Sequence, residues 1–181
     1  MDIRAGLCAI DVESQKIVVV ERKKSYSNAH IFRCGEFVEK YQIPRGRCCE
    51  ESIKNCAIRE FIEETGLFFK EYTILNMTFD LFWEDPIDTF WKYKIYFCKT
   101  SLDPNNIIRI TENTFNGMKL NVRSRRFEPL IVRIMYIQKY IDKLNNQLIY
   151  YMGQHNYKDF IEIIKNESWR SVAKCTTNES V

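Results

Sequence analysis

The sequence predicts a mixed α/β (α+β) architecture, a sheet packed against helices around one strong central helix. Three observations lead there. Several short runs are β-branched or alternate between apolar and polar residues, as at 16–20 and 89–99. One stretch, 52–66, has a helix start at Ser52, apolar positions at Ile53, Cys56 and Ala57, and a stop at Gly66. Two more amphipathic stretches follow near 139–146 and 158–166.

In chain order, residues 5–10 and 16–22 read as two strands joined by a turn at Glu13, Ser14 and Gln15. Residues 23–40 are polar and read as a surface loop, and 42–44 re-enter the core. Residues 45–50 read as a loop leading to the helix. Strands are expected at 72–83 and 89–99, with a turn at Asp85 and Pro86. Pro104 marks a further break, 107–110 a short strand, 112–126 an irregular basic segment and 130–137 another strand. Residues 1–170 are expected to form a single domain, and 171–181 a polar, flexible tail.

The composition, 45% hydrophobic and 28% charged, is that of a soluble globular protein rather than a membrane one. A net charge of +3 permits a polyanionic partner without requiring one. The apolar part of the N-terminal segment is short for a secretion signal, so an intracellular setting is expected. In that setting the seven cysteines are expected as reduced thiols. A zinc site drawn from His30, Cys34, Cys48, Cys49 and Cys56 is the alternative, though no CxxC pair supports it.

The helix carries the chemistry. With Glu60 at zero on a helical wheel, Glu64 lies about 40° to one side and Glu63 about 60° to the other. Three carboxylates thus crowd the end of a helix whose dipole favours cations. Ile58, Phe61 and Ile62 make a second apolar face, so the helix is packed between layers and its acids project into a cleft. Two carboxylates about 4 Å apart repel by roughly 4 kcal/mol at an effective dielectric near 20. A solvated acidic helix end is the ordinary alternative. A hard divalent cation relieves the repulsion, and oxygen-only donors favour Mg²⁺ or Mn²⁺.

Gly46, Glu51 and the run Arg59-Glu60-Phe61-Ile62-Glu63-Glu64-Thr65-Gly66-Leu67 closely resemble the Nudix box, Gx5Ex7REUxEExGU. Phe61 replaces the usual aliphatic residue, and the interval from Gly46 to Glu51 is one residue shorter than the pattern. The resemblance implies the Nudix fold, a mixed sheet sandwiched between helices, and hydrolysis of a nucleoside diphosphate linked to another group. It implies metal ligation by Glu60, Glu63 and Glu64, with a backbone carbonyl at Gly46. It implies that Arg59 pairs with Glu51 to hold the loop on the helix, and that Glu63 or Glu64 doubles as base. Many Nudix enzymes add an acid from a later loop. Glu128 fits that role best and Glu112 second, a surface glutamate being the alternative for both.

Arg45 and Arg47 bracket Gly46. The Pro44-Arg45-Gly46 entry looks like that of Nudix enzymes acting on capped RNA or diphosphoinositol phosphates. The AGL start, the IPRG entry, the loop cysteines and the helical tail look like Nudix proteins of large DNA viruses, most of all the baculovirus group. That group carries an ADP-ribose pyrophosphatase label and is related to viral mRNA-decapping enzymes. Arg123, Arg125 and Arg126 form a basic cluster that could track RNA, and Trp83, Trp91 and Tyr93 could stack on a base. A solvated basic face and core packing are the alternatives. The reading is therefore a metal-dependent hydrolase of the viral decapping type, acting on capped RNA in the host-cell cytoplasm and releasing methylated guanosine diphosphate. ADP-ribose or dinucleotide pyrophosphatase activity is the second choice, and a non-catalytic RNA- or nucleotide-binding module the third. No membrane partner is expected, and the oligomeric state is left open.

Overall fold

In the computed structural model the described residues are 3–21, 40–84, 90–118, 127–148 and 154–166. Strand β1 (Arg4–Asp11) is central because nearly all of its residues are buried, on both faces. Ala5, Leu7 and Ala9 point to one side, and Cys8 and Ile10 to the other. Strand β2 (Lys16–Glu21) pairs antiparallel with it, Ile10 opposite Ile17, through a turn in which Gln15 takes a φ of 58°. Both strands were expected from the sequence, β2 from its β-branched run.

The sheet is completed by β3 (Tyr41–Gln42), β4 (Arg45–Arg47), β6 (Tyr72–Glu84), β7 (Phe90–Thr100), β9 (Ile131–Tyr136) and β10 (Gln154–His155). Its order is β10-β6-β7-β1-β2-β3, with β4 on β1 and β9 on β2. The β1/β7 pair is parallel and the other pairs are antiparallel, so the sheet is mixed. A separate ribbon joins β5 (Leu67–Phe69) to β8 (Ile107–Arg109).

Helix α1 (Ile53–Thr65) covers one face of the sheet. Helices α3 (Ile137–Leu148) and α4 (Tyr157–Asn166) cover the other. The architecture is the mixed sheet flanked by helices that the sequence predicts. Phe61 lies in a ring cluster with Phe69 at 5.7 Å and Phe68 at 6.3 Å. Its side chain is fully buried, which contributes about 1.5–3 kcal/mol. The aromatic at this position is matched by the two phenylalanines that follow the helix. Among the described residues, no helix is long and apolar enough to cross a membrane.

Three expectations are corrected. Residues 45–47 form strand β4 rather than loop, because β1 offers them an edge: Arg4, Ala5 and Gly6 pair with Arg47, Gly46 and Arg45. The segment expected to be irregular from 112 contains the short helix α2 (Glu112–Asn116), capped by Thr111, whose hydroxyl accepts the Thr114 N–H, and anchored by buried Phe115. The cysteines are not all free thiols. The strand turns Cys48 back over the first turns of α1, and it forms a disulfide with Cys56, the Cα atoms being 5.2 Å apart. Cys8, Cys49 and Cys98 remain thiols. Burial pushes the Cys98 thiol up to about 12, and burial together with neighbouring Cys98 raises Cys8 as well. The expected loop at 23–39, the turn at Asp85 and Pro86, Arg123, Arg125, Arg126 and the tail lie outside the described residues.

Candidate active site

Helix α1 begins where Ser52 accepts the Asn55 N–H through its side chain. It ends at Gly66, whose φ of 66° is left-handed and whose N–H donates to the Ile62 carbonyl. Between these caps, residues 56–65 are all buried, including Arg59, Glu60, Glu63 and Glu64. Four charged side chains under cover require partners.

Arg59 supplies one for Glu60 and Glu63 and takes Glu51 as its own. Its Nε donates to both Glu51 carboxylate oxygens at 3.0 Å, and Nη2 donates to Glu51 Oε1 at 2.8 Å. Nη2 also donates to the Arg47 carbonyl at 2.9 Å. Nη1 lies 3.1 Å from Glu60 Oε1 and donates to Glu63. Burial alone would lower the pKa of this guanidinium. The Glu51 hydrogen bonds and the charges of Glu60, Glu63 and Glu51 overcome that and raise it. Arg59 is therefore cationic at every accessible pH. One guanidinium ties strand β4, the loop acid Glu51 and the acidic turn into one unit.

Gly46 sits against the acids. A Cβ built there falls on the Glu60 carboxylate, so no other residue type fits without displacing it. The donor set of three glutamates beside bare backbone is all oxygen and carries more negative charge than Arg59 offsets, which suits a hard divalent cation. In this structure the carboxylates of Glu60 and Glu63 turn onto Arg59. Among the described residues, no group of three or more His, Cys, Asp or Glu side chains is arranged to hold a metal ion.

Glu128 belongs to a segment that crosses the end of α1. Two residues on, the Leu130 N–H donates to the Glu64 carbonyl at 2.6 Å, and Pro129 lies over Gly66. Glu128 itself is exposed. Glu112 stands in the first turn of α2, where the helix dipole accounts for a carboxylate.

The arginines of β4 lie elsewhere than their sequence neighbours suggest. Successive strand residues face opposite sides, so Gly46 meets Glu60 while Arg45 turns to the far face of the sheet. There its guanidinium lies 4.8 Å from the Tyr93 ring centroid and donates to the Tyr157 hydroxyl at 3.3 Å. Arg4 approaches the same Tyr93 ring at 5.8 Å and donates to its hydroxyl at 3.4 Å. Arg47 shares the Arg45 side of the strand and pairs with Arg4 in register. Arg4 and Tyr157 were not singled out by sequence reasoning, although the period of two at 45–47 would have separated Arg45 from Gly46. Trp91 pairs in register with Trp83 across β6 and β7.

The NUDIX domain family matches residues 2–117. The protein ADP-ribose pyrophosphatase ORF38 of Autographa californica nuclear polyhedrosis virus is 31% identical over 179 residues, covering 90% of this chain and 82% of that protein. An uncharacterized 24.3 kDa protein of Orgyia pseudotsugata multicapsid polyhedrosis virus is 29% identical over 174 residues, covering 89% and 81%. Among solved structures, a NUDIX hydrolase from Nitrosomonas europaea superposes with a TM-score of 0.46 and 16% identity, covering 83% and 80%.

Proposed function

The chain belongs to the NUDIX family and is a Nudix-type hydrolase, and on that premise we propose that it cleaves the phosphoanhydride of a nucleoside diphosphate linked to a sugar, ADP-ribose in the first instance. The observation that carries this reading is the similarity, along nine tenths of the chain, to a viral protein named for that activity. The intact acidic turn supports it, since a binding module has no need of buried carboxylates. This reverses the order of the two leading substrates expected from the sequence.

Glu60, Glu63 and Glu64, with the Gly46 carbonyl, would hold Mg²⁺ or Mn²⁺. Such an ion, when bound, screens the charge of the diphosphate and makes an attacking water more acidic. Glu63 or Glu64 takes the water's proton, and Glu128 enters from the segment crossing the helix end. Arg59 and Glu51 hold β4 and the acidic turn in register, so that water and phosphorus meet in line. Water adds to phosphorus as the bridging P–O bond breaks, giving a nucleoside monophosphate and a sugar phosphate. Arg45, stacked on Tyr93, receives the part of the substrate that passes the edge of β4, with Trp91 further along the same strand as Tyr93. The basic segment at Arg125 and Arg126 is assigned to substrate binding as well.

A second reading is favoured by one observation. Arg4 and Arg45 both lie against the Tyr93 ring, with Arg47 on the same side of the sheet. Cations around a partly buried aromatic suit a capped RNA, whose base stacks and whose backbone is anionic. With either substrate we propose the host-cell cytoplasm as its place of action.

The test supplies purified protein and Mg²⁺ or Mn²⁺ with ADP-ribose, free cap analogue and cap-labelled RNA, and identifies the products. Preferential ADP-ribose cleavage is expected. Release of methylated guanosine diphosphate from capped RNA alone would establish decapping instead. Salt-sensitive RNA binding without hydrolysis would replace both with a binding module. Glu64→Gln is expected to abolish turnover while leaving the melting curve in place, and a folded, fully active variant would remove Glu64 from the mechanism.

A further inference from the structure

We infer that Cys48 and Cys56 form a reversible thiol–disulfide site that sets how firmly the strand carrying Gly46 is held against the acidic helix. The position of the bridge carries the inference. Cys48 directly follows Arg47, whose carbonyl is held by Arg59. Cys56 lies one turn ahead of Arg59 and Glu60 on α1, and Arg59 Nη2 is 4.0 Å from its sulfur. The bridge therefore spans the same gap as the Arg59 hydrogen bonds and encloses Glu51 and the capping Ser52. The Cys48 N–H donates to the Ile3 carbonyl and the Cys49 N–H to Glu51 Oε1, so loop and sheet meet at this point.

The two sulfurs differ in access. Cys56 is fully buried, whereas Cys48 is half-buried at the surface end of the bridge. A dithiol reductant then attacks Cys48. Its thiolate forms a bond to Cys48 Sγ as the Cys48–Cys56 bond breaks, and Cys56 leaves as a thiolate beside the Arg59 guanidinium, which favours it. The reductant's second thiolate attacks its own mixed disulfide and releases the Cys48 thiolate. Two protons complete the thiols, two electrons pass to the protein, and the reductant ends as a disulfide. Arg59 still holds Glu51 and the Arg47 carbonyl afterwards, so the fold survives while the loop gains freedom. Because α1 and β4 frame the acids, that freedom reaches the chemistry, where a displacement of about 1 Å costs up to about 100-fold in rate.

The kinetic half of the test rests on the hydrolase reading; the other half does not. Protein purified without reductant is compared before and after dithiothreitol by intact mass, by alkylation mapping and by hydrogen exchange of the 45–52 segment. Turnover of ADP-ribose and of capped RNA with Mn²⁺ is measured in both states. Expected are a gain of two hydrogens mapped to Cys48 and Cys56, faster exchange at the Cys48 and Cys49 amides, and a fall of kcat by about three-fold or more. Cys48→Ser should show the reduced behaviour from the start and ignore dithiothreitol, while Cys49→Ser should keep the response. Cys48 and Cys56 already alkylatable without reductant, or exchange unchanged by reduction, would overturn the inference. So would a kcat that moves less than three-fold in an active enzyme. Absence of hydrolysis in both states would count against the proposed function, and exchange would then decide the matter of the bridge alone.

Discussion

Arg59 is the residue through which this site is assembled. A lysine in its place would offer one ammonium instead of a planar fork of N–H donors, so the contacts to Glu51, Glu60, Glu63 and the Arg47 carbonyl could not all be kept. Gly46 matters for the opposite reason, the absence of a side chain. Since an added Cβ falls on the Glu60 carboxylate, Gly46→Ala must move either strand or acid. Mn²⁺ affinity is expected to fall by about ten-fold or more, as for other changes that reorient a ligand, with the protein still folded. Calorimetric titration beside a thermal melt checks this, and unchanged affinity would place the ion elsewhere.

At the scale of the element, α1 is defined by its ends. Ser52 satisfies an N–H of the first turn, and Gly66 reverses the chain in a conformation that costs other residues about 1–2 kcal/mol. The Gly66 carbonyl then accepts the Ile110 N–H at 2.8 Å, tying the helix end to the β5/β8 ribbon. Ser52→Ala and Gly66→Ala are each expected to lower unfolding free energy by about 1 kcal/mol. The caps are about 20 Å apart along the helix, so the double variant should show close to the sum. Denaturant midpoints measure all three. A double variant no worse than either single one would show that the helix ends are coupled rather than independent.

For the molecule as a whole, Asp11 links the β1/β2 turn to the far end of β7. Its carboxylate accepts the Leu102 N–H at 2.9 Å and the Ser14 N–H at 3.2 Å. Burial pushes its pKa upward, but hydrogen bonds from Leu102, Ser14 and Glu13 outweigh that and hold it below the ordinary carboxylate value of 3.8. A depressed folded-state pKa gives stability that is present above the unfolded value and lost as pH falls through the folded one. The wild type is thus expected to lose stability as pH drops below about 4. Asp11→Asn should be less stable at neutral pH and show a shallower loss on acidification. Melting curves from pH 7 to pH 2 test this, and parallel curves for the two proteins would assign the acid sensitivity to other groups.

How much was legible in advance follows from the range of the forces involved. Strands β1, β2, β6, β7 and β9 and helices α1, α3 and α4 announced themselves because alternation, helical spacing and caps are local. Strand β4 did not, since three polar residues form a strand only when β1 presents an edge to them. The acids of α1 were visible as a cluster because i, i+3 and i+4 lie together on any helix. That Glu60 and Glu63 would turn onto Arg59 was not, nor that Arg45 would cross to the face of Tyr93 and Tyr157. The sequence by itself determined the acidic helix and its family, because those rest on spacing within one element. Only the tertiary structure decided that Gly46 lies on Glu60, that Cys48 meets Cys56 and that Arg45 parts from Gly46, because each is a contact between segments brought together by the pleat and register of the sheet.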